Sequence, residues 1–139
     1  ASLVGSEMCI RDSDRQTWVK SVTGDKPGTP EYTVEIFNAI KKAKEKGEQV
    51  VAFHNHPGSM PPSAADINAA LQNGYSAGYV LCHDGTIYKY SAPKTKIIDA
   101  IYNKRVDSFK KTGYNEGDAQ RKALEYLSEL YDFSFREVK

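Results

Sequence analysis

Apolar positions along this chain change their period several times, and each change marks an expected element. Across residues 16–22, Trp18 with the β-branched Val19 and Val22 reads as a strand. Thr23-Gly24-Asp25-Lys26-Pro27-Gly28-Thr29-Pro30 follows as a turn-rich loop. Thr29 suits a helix N-cap, with Pro30 as the first helical residue and Glu31 in the first turn. Ile36, Ile40 and Ala43 then fall on one helical stripe with Phe37 beside it, and Gly47 ends the helix. Val50-Val51-Ala52-Phe53 is a short unbroken apolar run, which predicts a core strand over residues 49–53. Ile67, Ala70 and Leu71 resume a helical spacing. Residues 79–82 and 86–90 flank Asp84-Gly85, a β-hairpin signal with the Asp-Gly turn as its pivot.

Beyond Pro93 the character changes. Ile97, Ile101 and Tyr102 with Phe109 predict one amphipathic helix, and Gly113 and Gly117 punctuate a break. Ala119, Ala123, Leu127 and Leu130 suit a second helix, and residues 133–138 alternate like a strand. Fewer than fifty residues make a poor independent core, so residues 93–139 are expected to pack as a helical extension on a core of residues 14–92. The succession of strands and helices makes the fold class α/β.

Composition narrows the function classes. A chain of 139 residues fits a single domain with room for a real core. Its 19 basic and 18 acidic residues leave a formal net charge of +1, a balance that offers no field for nucleic acid or an anionic membrane surface. No apolar run approaches the ~20 residues that span a bilayer, and no signal-peptide pattern is present. Cys9 and Cys82 make no disulfide framework, so a cytoplasmic setting is the expectation. Cys82 lies in an apolar strand and reads as a buried, inert thiol. Lys41-Lys42-Ala43-Lys44-Glu45-Lys46 reads first as a solvated helix face, and second as a docking surface for an acidic partner.

The chemistry concentrates in the thirteen residues from His54 to Asp66: His54-Asn55-His56-Pro57-Gly58-Ser59-Met60-Pro61-Pro62-Ser63-Ala64-Ala65-Asp66. His54 and His56 stand at the end of the core strand on one face, because strand side chains alternate with period two. Asp66 falls in the first turn of the next helix, where the helix dipole favours a negative charge. Ser63 and Asp66 also form an ordinary S-x-x-D capping arrangement. The joint pattern outweighs the bland readings, since all three histidines of the chain lie between residues 54 and 83 and two fall in this motif. His83, beside the Asp-Gly turn, has no paired ligand in sequence and reads as turn decoration. Three N/O ligands converging on one point suit a zinc ion that keeps its fourth position for water. The prolines of the connecting loop stiffen it, and Met60 either lines a substrate groove or sits at the surface.

His-x-His-Pro with Ser-x-x-Asp beginning seven positions after the second histidine resembles the JAMM (JAB/MPN) metalloprotease motif, with stand-alone bacterial or phage JAB domains and RadC-like proteins as the nearest branches. The resemblance covers roughly residues 7–91. It implies a cytidine-deaminase-like JAB/MPN core, a mixed sheet flanked by helices, here with a C-terminal helical appendage. It also implies one Zn2+ per chain on His54, His56 and Asp66, with Ser63 helping to hold the oxyanion. The family further needs an upstream glutamate as proton carrier. Glu31 and Glu35 fall on a predicted helix and Glu45 and Glu48 near its exposed end, which leaves Glu7 as the match by position. Residues 2–13 read like a translated sequencing adapter, so residues 1–13 are expected to be a non-native leader. Glu7 then has two readings, a glutamate in register by accident or a solvated terminal side chain.

The implied activity is zinc-dependent hydrolysis of a peptide or isopeptide bond, on a peptide or protein substrate of which a ubiquitin-like tail is one candidate. The alternative is a catalytically silent JAB/MPN scaffold or binding module in a phage, mobile-element or other assembly. A RadC-like link to DNA is weakest, given the balanced charge. No nucleic acid or membrane partner is expected, and the oligomeric state is not legible.

Overall fold

The computed structural model describes residues 6–11, 16–20, 34–56 and 58–138. Within them run β1 (Ser6–Arg11), β2 (Gln16–Lys20), α1 (Val34–Glu45), β3 (Gln49–His56), α2 (Ala64–Asn73), β4 (Ala77–Cys82), β5 (Ile87–Tyr90), α3 (Asp99–Lys111), α4 (Glu116–Leu130) and β6 (Phe135–Val138). The strands form one sheet in the order β2-β1-β3-β4-β5-β6. Only β3 and β4 pair in parallel, and every other described pairing is antiparallel. Parallel neighbours require a crossover, and α2 supplies it. The architecture is mixed α/β.

Period-two burial builds the core face of the sheet. On β3, Val50, Ala52 and His54 are buried, and on β4 so are Gly78, Val80 and Cys82. Tyr88 and Tyr90 continue that face on β5, against Ala64, Ile67 and Ala70 of α2. Gly78 faces its cross-strand partner Tyr90, whose ring fills the place where a Cβ would stand. A side chain there would evict a fully buried tyrosine.

The histidines lie inside β3, which runs three residues further than the apolar run suggested, because the parallel pairing continues to His56↔Cys82. β2 is described as far as Lys20, and both Val22 of the expected strand and the expected helix start at Thr29, Pro30 and Glu31 lie outside the described residues. Among the described side chains of α1, Ile40 and Ala43 are buried and Phe37 is 50 % exposed, while Ile36 of the expected stripe lies outside them. Residues 6–11, within the stretch expected to be a non-native leader, form β1, which pairs with β2 on one side and β3 on the other.

The C-terminal segment shares the core. Ile97, Leu124, Leu127, Tyr131 and Phe133 pack in one cluster with Val80 and Tyr90, and β6 extends the sheet beside β5. Two expected core positions turn outward. Ile101 is 39 % exposed, because Tyr102, Val106 and Phe109 form the inward stripe of α3. Leu130 is 59 % exposed, and Tyr131 in the C-cap of α4 takes the buried place. Among the described residues no helix is long and apolar enough to cross a membrane.

Candidate metal centre

The carboxyl end of β3 and the amino end of α2 meet at one buried point. Ser63 caps α2: its Oγ accepts the Asp66 N–H at 3.1 Å, and the Asp66 carboxylate accepts the Ser63 N–H through Oδ2 at 2.9 Å. This reciprocal box satisfies two amide donors at the helix start. It also fixes where the carboxylate points. Asp66 Oδ2 lies 3.4 Å from His56 Nε2, and Oδ1 lies 3.9 Å from His54 Nδ1. The capping and ligand readings of Ser63 and Asp66 are therefore compatible, since one geometry serves both.

His56 is oriented by the loop that follows it. Its Nδ1 lies 3.0 Å from the Pro61 carbonyl and 3.3 Å from that of Met60. Carbonyls only accept, so Nδ1 carries a proton and Nε2 is the nitrogen turned to Asp66. A backbone carbonyl on the remote nitrogen is the usual support of a metal-binding histidine. The loop is in turn tied to the sheet. The Cys82 thiol donates to the Met60 carbonyl at 3.3 Å, the Tyr88 hydroxyl to the Ser59 carbonyl at 3.1 Å, and the Asp84 N–H to the Gly58 carbonyl at 3.2 Å. His83 contributes its backbone, with its N–H bonded to the His56 carbonyl at 3.1 Å.

Burial and charge divide the roles. Burial pushes His54 below its ordinary value, only partly opposed by Asp66, so its imidazole is neutral at neutral pH. Burial also works against charge on His56, but the carboxylate of Asp66 and the two loop carbonyls outweigh it and raise its value. Burial would raise Asp66, yet the His56 hydrogen bond, the nearby His54 and the Ser63 N–H hold it low. His56 and Asp66 thus share a proton as an ion pair. Among the described residues no three His, Cys, Asp or Glu side chains stand ready-assembled around a metal position. The donor types nonetheless fit a divalent cation: one neutral imidazole, one imidazole whose Nε2 proton is the exchangeable one, and an ionised carboxylate.

A scan against protein-family models finds no match for this chain, and a search of curated proteins finds none either. The chemistry is carried by the site alone.

Glu7 enters as a backbone position of β1. In the pairing of β1 with β3, Glu7 stands opposite Phe53 and Ser6 opposite His54. Directly opposed residues share a sheet face, so the register sets position 6 on the His54 face. Glu31 lies outside the described residues, and Glu45 closes α1 on an exposed turn.

Two residues to which the sequence assigned no part in the site bear on α2 and its carboxylate. Asn68 of α2 bonds the backbone of Ile97 in both directions, at 2.8 and 3.0 Å. Tyr102 of α3 is half-buried, and burial together with the charges of Glu116 and Asp66 pushes its phenol up to about 12. Neither residue belongs to a motif, and only tertiary packing brings them here.

Proposed function

We propose that this chain is a zinc-dependent hydrolase of the JAMM type on a JAB/MPN core, cleaving a peptide or isopeptide bond. The observation that carries this reading is the convergence of both His56 Nε2 and His54 Nδ1 on the two oxygens of one buried carboxylate, at 3.4 and 3.9 Å. A buried cluster of this kind opposes folding unless each charge is compensated. His54, His56 and Asp66 would hold one zinc ion per chain. When bound, zinc supplies a Lewis acid for the scissile carbonyl and brings the pKa of water toward ~7.

The protein's own groups set the rest. The loop carbonyls of Met60 and Pro61 keep His56 in the tautomer that offers Nε2 to the cation. The Ser63 Oγ accepts from the Asp66 N–H, which leaves its O–H to donate to a developing oxyanion. Removal of such donors in other enzymes costs ~3 kcal/mol of transition-state stabilisation. Glu7 is the candidate by sequence position to receive a proton from water and return it to the leaving amine, but its register opposite Phe53 sets position 7 on the sheet face away from His54. The substrate class is a peptide or protein, a ubiquitin-like tail among the candidates.

One observation favours a second reading, a zinc-bound scaffold without turnover: Glu7 stands opposite Phe53 rather than His54. Elemental analysis of the purified protein beside His56→Ala, followed by hydrolysis assays on peptide and isopeptide substrates with Glu7→Gln, separates the two. About one zinc per chain, lost in His56→Ala, with turnover that Glu7→Gln abolishes, supports the hydrolase. Zinc without turnover on any substrate supports the scaffold. Absence of zinc after reconstitution overturns both.

A further inference from the structure

The loop after β3 reaches across to the C-terminal hairpin through one side chain. Met60 is half-buried, and a methyl group built on Gly117 would stand only 3.3 Å from its Sδ. Gly117 is the second residue of α4. Glycine inside a helix is unfavourable relative to alanine, so a reason for it is worth seeking. Conformational freedom is not that reason, since Gly117 is absent from the glycines with positive φ. Space for the Met60 thioether is.

The main chain of Met60 meanwhile touches the centre. Its carbonyl accepts from the Cys82 thiol at 3.3 Å and lies 3.3 Å from His56 Nδ1. One residue therefore joins α4 by its side chain to the His56 ring by its backbone. We propose that Met60 is a positioning residue for the metal centre: seated against Gly117, it lets the α3–α4 hairpin hold the orientation of His56. The proposal rests on the metal reading above, and goes beyond it in making residues 116–130 part of the site's support. Asn68 adds a second tie between α2 and the residues leading into α3, through its paired bonds to Ile97.

The test is a double-mutant cycle read by Co2+ titration of the full chain, following the visible absorption band and the apparent affinity. Its members are the parent, Met60→Ala, Gly117→Leu and the double variant, with thermal melts by circular dichroism alongside. Loss of an outer support costs a metal-binding histidine about tenfold or more in affinity, so Gly117→Leu is expected to weaken Co2+ by about that factor. Met60→Ala is expected to lose less and to shift the band. In the double variant the leucine has no thioether to displace, so its affinity should equal that of Met60→Ala alone. Additive losses, or a Gly117→Leu affinity equal to the parent's, overturn the proposal. If Gly117→Leu does not fold, Met60→Ala decides, and an unchanged affinity and band refute it. A parent that binds no Co2+ sinks the metal reading and this proposal with it.

Discussion

Charges at the start of α2 and charges along α3 and α4 are arranged on opposite principles. His54 and Asp66 are only 6 % and 9 % exposed, and they share their space with His56. On the C-terminal hairpin, Lys110 meets Glu116 at 2.7 Å and Arg121 meets Glu125 at 3.2 Å, all on side chains open to water. Exposed pairs of the second kind contribute little, because water screens them and two long side chains must be ordered. Buried groups of the first kind carry a desolvation penalty that their mutual attraction barely recovers. A packed leucine or isoleucine cluster would stabilise the same volume at least as well. The difference teaches where to look for chemistry: the charges that folding does not need are the ones around α2, and the desolvated arrangement is kept by a capping box and loop carbonyls.

Asp66→Asn is the largest break in that contrast. The carboxamide oxygen still accepts the Ser63 N–H, so α2 keeps its cap, but the centre loses its anion. Metal content measured by elemental analysis should fall from about one zinc per chain to near none, and any turnover with it. The metal-free proteins should differ in a pH-dependent way. His56 titrates above its ordinary 6.5 when folded, so its pairing with Asp66 stabilises fully below 6.5 and fades as pH rises through the raised value. Asp66 titrates below its ordinary 3.8, so its share is present above 3.8 and fades as pH falls through the lowered value. Chelated parent should therefore exceed chelated Asp66→Asn most between about pH 4 and 6.5 in urea melts. A gap that shrinks neither as pH rises above that range nor as it falls below it would contradict the shared-proton pair.

Much of this centre was legible because its parts are local. The unbroken apolar run into His54 and His56, the Ser63 cap and the first-turn Asp66 occupy one short stretch, and strand alternation plus capping rules bring them together without knowledge of the fold. The hairpin of β4 and β5 and the two C-terminal helices were legible from Asp84-Gly85 and from helical spacing for the same reason. What escaped was non-local. Met60 against Gly117, Asn68 against Ile97 and Tyr102 near Asp66 each join residues at least twenty-nine positions apart, and no sequence period encodes them. Ile101 and Leu130 show the related failure within a helix: apolar spacing marks a stripe, but the packing partner decides its edge.

On the other side of the comparison, stability should follow volume and not charge. Leu127 of α4 is fully buried in the cluster that also holds Val80, Tyr90 and Ile97. Leu127→Ala removes that volume and should cost about 2–5 kcal/mol, the range for buried leucines that leave a cavity. Urea denaturation gives the number. Below its new melting point the variant should still take up zinc, because Leu127 supplies none of the donor atoms that His54, His56 and Asp66 bring together. Loss of metal in a folded Leu127→Ala would show that the two regions are coupled through the core and not only through Met60.

The smallest effect belongs to the shortest ion pair among the described residues. Lys110 Nζ lies 2.7 Å from Glu116 Oε2 at the junction of α3 and α4. The contact raises the Lys110 value and lowers that of Glu116, chiefly through their hydrogen bond. Those shifts arise on side chains about half open to water, where solvent competes for both groups and screens their attraction. Glu116 also opens α4, so its charge keeps a favourable place at the helix start even without its partner. Lys110→Ala should accordingly leave the thermal midpoint where the parent has it, and added salt should affect both proteins alike. Zinc uptake should be untouched as well. A clear drop in midpoint that high salt abolishes would mean that this pair sets the angle between the two helices, and the distinction between buried chemistry and surface decoration would then have to be redrawn at Glu116, beside the glycine on which Met60 is seated.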